Sequence, residues 1–307
     1  MLYLFLAITC STSIALIFKV SESRNMDRYT VTTFNYLVAS LLSLFFFLSK
    51  RFPAIHFTEA FRSLSTEFPA VMSGGEFSSA GSAGWALVTG LPSGILYFLG
   101  FMYLQKAIRE SGVSLAGSFS KMGVLVPMLF AIILWSELPT GMQWIGILLA
   151  LMSILLANID LSNPAGIMAG FKPVLLILFL TVGMSEFSNK VYQRYGILEM
   201  KSLFLFFVFT TALLISGWKT FRRRKSIRLS HFLTGIAVGI PNYFASFFLI
   251  LSLSRLKTAI VFPVYSAGTI VLLSLAGWLF FKERLRTRER IAVGLTVTAL
   301  VLLNIQS

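Results

Sequence analysis

Ten stretches of apolar sequence, each close to membrane-crossing length, leave this chain few ways to fold. They run at about 2–20, 31–49, 85–105, 113–135, 142–159, 173–192, 202–218, 232–251, 258–281 and 291–305. A helix needs roughly 20 residues to cross a hydrocarbon core about 30 Å thick. Lipid offers no hydrogen bonds, so a spanning segment must satisfy its backbone internally, as a helix does. The expectation is an all-α polytopic membrane protein with ten transmembrane helices. Composition agrees: 56% of the 307 residues are hydrophobic, 12% are charged, and mean hydropathy is +0.82. Soluble domains carry about 25% charged residues. The run beginning Met1-Leu2-Tyr3 lacks a preceding basic stretch and a following small-residue cleavage site. It reads as a retained first span.

The runs are also duplicated. Residues 94–159 and 240–305 match without a gap, 146 positions apart. Tyr97-Phe98 falls on Tyr243-Phe244, Arg109 on Arg255, Ser120 on Ser266, Glu137 on Glu283, and Asn158-Ile159 on Asn304-Ile305. A weaker match at an offset of 171 places Lys19 on Lys190. The chain thus divides into a first five-helix repeat, 1–160, and a second, 161–307, together one transmembrane domain. Five is odd, so the second repeat enters the membrane from the opposite side, giving inverted topology. Residues 50–84 form the one long extramembrane connection. Its first part, near 57–68, is weakly amphipathic and suits a short interfacial helix. Its second part, Ser73-Gly74-Gly75 and Ser78-Ser79-Ala80-Gly81-Ser82, has linker composition.

Charge sets the expected orientation. The net charge is +14, and the basic residues cluster in short connections. One side holds seven of them: Lys50, Arg51, Arg62, Arg194, Lys201, Arg255 and Lys257. The other side holds sixteen, including Lys219, Arg222, Arg223, Arg224, Lys225 and Arg228. The richer side is expected to be cytoplasmic, with both termini outside. No soluble module remains to bind nucleic acid. One cysteine, Cys10, and two histidines, His56 and His231, provide no disulfide framework and no metal site. There is no Walker A pattern and no catalytic Ser/His/Asp or HExxH arrangement. No catalytic residue, cofactor or enzyme activity is expected.

Pro127 in an apolar helix, then Trp135-Ser136-Glu137-Leu138, then Gly146 and a final apolar helix, resembles the EamA-like pattern of the drug/metabolite transporter superfamily. Phe280-Phe281-Lys282-Glu283-Arg284-Leu285 with Gly294 repeats it, so the resemblance covers nearly the whole chain. The prolines depart from the repeat: Pro127 aligns with Leu273, and Pro263 with Gly117. The resemblance implies ten helices in inverted repeats, moving small metabolites by alternating access. It also implies that the third, fourth, eighth and ninth helices line a central cavity. Its usual orientation, with cytoplasmic termini, opposes the charge count.

Lys121 lies mid-way along the fourth apolar run, where a charge costs at least about 2.5–3.5 kcal/mol. It reads either as an ammonium facing a central cavity, binding an anionic group, or as half of a structural ion pair. Glu186 is the sole acid deep in a span, and Lys190 follows four residues later on the same helical face. That pair suits stability or proton coupling. Tyr97, Ser118, Ser120, Asn242, Tyr243 and Tyr265 provide hydroxyls, an amide and aromatic walls for a substrate, or bonds between helices. Glu137 and Glu283, at helix ends, are expected to cap neighbouring helices.

The expected function is secondary active or exchange transport of a small organic metabolite. The solute would be anionic or zwitterionic, such as an amino acid or organic acid, and would cross the inner (plasma) membrane. The partners are then that substrate and membrane lipid, with the protein a monomer or homodimer. A lipid-linked substrate flippase of the same fold is the alternative. An integral membrane lipid enzyme is a weaker one, lacking a His- or Asp-rich cluster.

Overall fold

A computed structural model describes residues 1–24, 26–50, 56–158, 172–223, 228–281 and 287–304. Every regular element among them is helical. They are α1 (Leu2–Ser23), α2 (Arg28–Leu48), α3 (Phe57–Met72), α4 (Ser79–Met122), α5 (Leu125–Trp135), α6 (Gly141–Asn158), α7 (Pro173–Tyr195), α8 (Lys201–Arg223), α9 (Leu229–Leu253), α10 (Thr258–Phe281) and α11 (Thr287–Asn304). A short 3-10 turn, Leu198–Met200, leads into α8. Among the described residues, six helical stretches are long and apolar enough to cross a membrane, and four shorter apolar ones accompany them. Leu48, Ile133, Leu214 and Phe221 are among many large apolar side chains left on the surface. In water that surface would be costly; in lipid it is the natural exterior. The protein is an all-α, polytopic membrane protein.

Three local expectations need revision. A connection was expected near 106–112, yet the backbone stays helical from Ser79 to Met122. The charges there suit a helix as well as a loop: Lys106 pairs with Glu110 one turn on, at 3.8 Å. The Ser-rich stretch at 78–82 is not a tether. It starts α4, because Glu67 accepts from the Ser78 backbone N–H (2.8 Å) and hydroxyl (2.6 Å). Ser82 Oγ accepts the Ile197 N–H at 3.0 Å. Serines near a helix start serve as caps, which composition alone confuses with a linker. The third revision is a break in the fourth apolar run. α4 ends at Met122 and α5 begins at Leu125. Pro127 has no N–H for the Gly123 carbonyl, and Val126 bonds it instead at 3.0 Å. The amphipathic stretch in 50–84 does form a helix, α3, and Gly74 (φ 121°) turns the chain after it.

The chain forms two compact units. The first comprises Met1–Thr12, Leu99–Phe187 and Arg255–Ser307. Within it α6 packs on α11, and α10 packs on α5, α6 and α11. Ser153 on α6 bonds Thr296 and donates to the Ala292 carbonyl at 3.0 Å, and Gly146 closes on Ala299 and Leu303. Gly123 and Gly183 bring the α4–α5 junction against α7. A Cβ on Gly183 would stand 2.6 Å from the Gly123 oxygen.

The second unit comprises Ser13–Phe98 and Ser188–Ser254. Here α2 packs on both α8 and α9. Small residues allow the approach. Gly235 and Gly239 of α9 lie on the α2 backbone, and Gly90 and Gly94 of α4 lie on α8. Both are pairs four residues apart, so each presents one smooth helical face. Hydroxyls then bridge the helices, Ser40 to Thr210 at 2.7 Å and Thr33 to Thr220 at 2.8 Å.

Candidate functional site

The break at Gly123-Val124 positions the sharpest residue of the first unit. Lys121 lies in the last turn of α4, part-buried. The carbonyl end of a helix favours a cation. Glu186, on α7, acts on the Lys121 ammonium electrostatically. The Gly123–Gly183 contact explains the meeting. Lys121 is two residues before one glycine and Glu186 three after the other, so backbone contact draws both charges to one crossing. Phe187, next to Glu186, stacks on Phe130 of α5 with ring centroids 4.7 Å apart. Lys121 and Glu186 thus lie near the same helix crossing, within Coulombic reach of each other. Ser120 and Tyr265 are part-buried in the same unit, and the Tyr265 carbonyl accepts from Thr269 at 2.7 Å. The Ser118 side chain lies outside the described residues.

The second unit holds a polar layer. Asn189, fully buried, donates through Nδ2 to the Tyr97 hydroxyl at 2.9 Å. Ser246 Oγ lies 3.4 Å from the same hydroxyl. Tyr97 is part-buried, and its ring meets Phe209 edge-on. Asn242 donates to Asn35 Oδ1 at 3.0 Å, tying α9 to α2. Tyr243, the repeat mate of Tyr97, is 0% exposed, bonded to Ser202 at 3.0 Å and stacked on Phe46. Lys190 is buried and donates to Gln193 Oε1 at 3.1 Å. Asn35, Asn189, Ser202 and Ser246 are the partners that the repeat pattern did not single out. Asn189 carries a usable sequence signal, an amide deep in an apolar run.

Glu137 has a clear structural task. Ser136 adopts a left-handed conformation (φ 52°), and Glu137 N–H bonds back to the Ala131 carbonyl at 3.3 Å. This closes α5 in the manner usual for helix C-termini. The turned carboxylate accepts the Thr258 N–H at 2.7 Å, capping α10, while Lys257 donates to the Leu138 carbonyl at 3.0 Å. Its repeat mate Glu283 lies outside the described residues.

Comparison with known proteins decides the family. The model of the EamA-like transporter family matches residues 1–159, more than half of the chain. The chain belongs to the EamA-like transporter family. The model named Small Multidrug Resistance protein also matches, over residues 209–296. An uncharacterised protein of Haemophilus influenzae is 24% identical over 303 residues, covering 97% of this chain and 95% of its own. An uncharacterised membrane protein of Bacillus subtilis, YvaE, is 36% identical over 59 residues, covering 19% of this chain and 50% of its own. A solved crystal structure shares the fold, with a TM-score of 0.70 at 16% identity over 99% of this chain and 95% of the other. EamA-like proteins are membrane transporters, so the polar residues above belong to a transporter scaffold.

Proposed function

We propose that this EamA-like protein is a secondary active or exchange transporter of a small organic anion or zwitterion, such as an amino acid or organic acid. It works by alternating access of two inverted five-helix repeats in the inner (plasma) membrane. The observation that carries this reading is the Lys121–Glu186 couple at the broken fourth segment. Interrupted helices mark the binding sites of many transporters, because they expose backbone groups at membrane depth. An ammonium there binds a carboxylate, and Glu186 balances that ammonium when substrate is absent. Tyr97, Ser118, Ser120, Asn242, Tyr243 and Tyr265 complete the proposed substrate-binding set, and Glu186 with Lys190 carries any proton coupling.

The test is transport by purified protein in liposomes, with solutes first ranked by thermal stabilisation. Lys121→Ala should abolish uptake of the stabilising solute and leave folded protein in the membrane. Uptake at the normal rate would sink the proposal. Glu186→Gln should shift the pH dependence of transport, whereas an unchanged profile would remove its coupling role.

A further inference from the structure

Lys201 opens α8, and its side chain is only 5% exposed. Three features of its setting oppose an ammonium. Burial strips its hydration. The first turn of a helix carries partial positive charge. Lys50, just beyond α2, adds a second cation within Coulombic reach. Compensation is slight. Lys201 Nζ donates to the Leu198 carbonyl at 3.1 Å and lies 4.4 Å from the Phe247 ring centroid. Glu199 acts on it electrostatically but is exposed. Among the described residues no carboxylate forms an ion pair with Lys201. An ammonium has three N–H donors, and one is used.

The surroundings are ordered. Phe46, one turn before Lys50 on α2, meets Phe247 with ring centroids 6.3 Å apart and stacks on Tyr243 at 5.4 Å. Lys201 thus lies on this aromatic wall, and the exposed Lys50 follows Phe46 four residues later. We infer that Lys201 and Lys50 form a binding site for an oxyanion, a carboxylate or phosphate group, against the Phe46–Phe247 wall at the start of α8. A bound oxyanion offsets the first penalty and turns the other two into attractions. It attracts both ammoniums, takes the free N–H donors of Lys201, and sits where a helix start favours negative charge. The group can belong to a dissolved acid or to the head of an anionic lipid. Lys201, Lys50, Phe46 and Phe247 are not in the set proposed for transport, although Tyr243 of that set stacks on Phe46.

The test is thermal unfolding of purified protein in neutral detergent. Sodium phosphate and sodium acetate are titrated against chloride at constant ionic strength. Phosphatidylglycerol and phosphatidylcholine are added in separate arms. The wild type should gain several degrees from at least one anionic probe and nothing from phosphatidylcholine. Lys201→Met should lose that gain, Lys50→Gln should weaken it, and Lys219→Gln, at the far end of α8, should keep it. A gain with phosphate or acetate assigns the site to a dissolved acid; a gain confined to phosphatidylglycerol assigns it to lipid. Either outcome supports the site. The inference fails if no anionic probe stabilises the wild type, or if Lys201→Met retains the full gain. It also fails if Lys121→Ala abolishes the gain while Lys201→Met keeps it, since the anion then binds elsewhere. Should Lys201→Met not fold, the exposed Lys50 decides: an unchanged gain in Lys50→Gln overturns the site.

Discussion

Lys121 and Lys190 are both lysines within apolar runs, and their settings separate them. Lys190 is buried and donates to Gln193 on its own helix. Lys121 is part-buried at a helix break and meets an acid from another helix. Glu137 shows how a carboxylate near a helix end serves structure instead. Replacing it with alanine removes the cap on α10 and is expected to cost about 1–2 kcal/mol. Glu137→Gln keeps an acceptor and should lose less, which thermal unfolding of the two variants will compare. Lys121, Glu186 and Glu137 were legible in the sequence because charge within or beside apolar runs is conspicuous. The partners Asn35, Ser202 and Ser246 were not. Which way a small polar side chain points depends on helix rotation, and that is set by packing.

At the scale of elements, the apolar runs foretold most helices, while their ends followed local chemistry. Periodicity has no means of seeing that Glu67 accepts from Ser78 at the start of α4, or that Pro127 leaves the Gly123 carbonyl to Val126. The Gly123–Gly183 crossing is the element-level feature on which the charge pair depends. A side chain on Gly183 would meet the Gly123 oxygen and, at 2.5 Å, Val126 Cγ2. Backbone cannot move aside as a flexible side chain does. Gly183→Val should therefore cost about 1–3 kcal/mol and reduce substrate binding with Lys121 and Glu186 both intact. Gly141→Ala, where nothing lies within 4 Å of the added carbon, is the matched control. Normal binding by the Gly183 variant would show that the crossing does not hold the pair.

For the whole molecule, the sixteen-to-seven division of basic residues predicts that the 219–228 connection faces the cytoplasm. A single cysteine placed there, with Cys10 replaced, should resist a membrane-impermeant maleimide on intact cells and react after lysis. Labelling of intact cells would reverse the assignment and place both termini inside. The division into two units carries a further consequence. Each unit draws on both sequence halves: α6 buries Ser153 against α11, and α2 lies on α8 and α9. During synthesis, then, the amino-terminal half is inserted before its packing partners exist. Gly146 and Ser153 wait for the last eighteen-residue helix, α11, to leave the ribosome. Until then the half-made bundle leaves uncovered the very glycine and hydroxyl faces that later hold it together. The arrival of α11 is in that sense the step that buries Gly146 and Ser153.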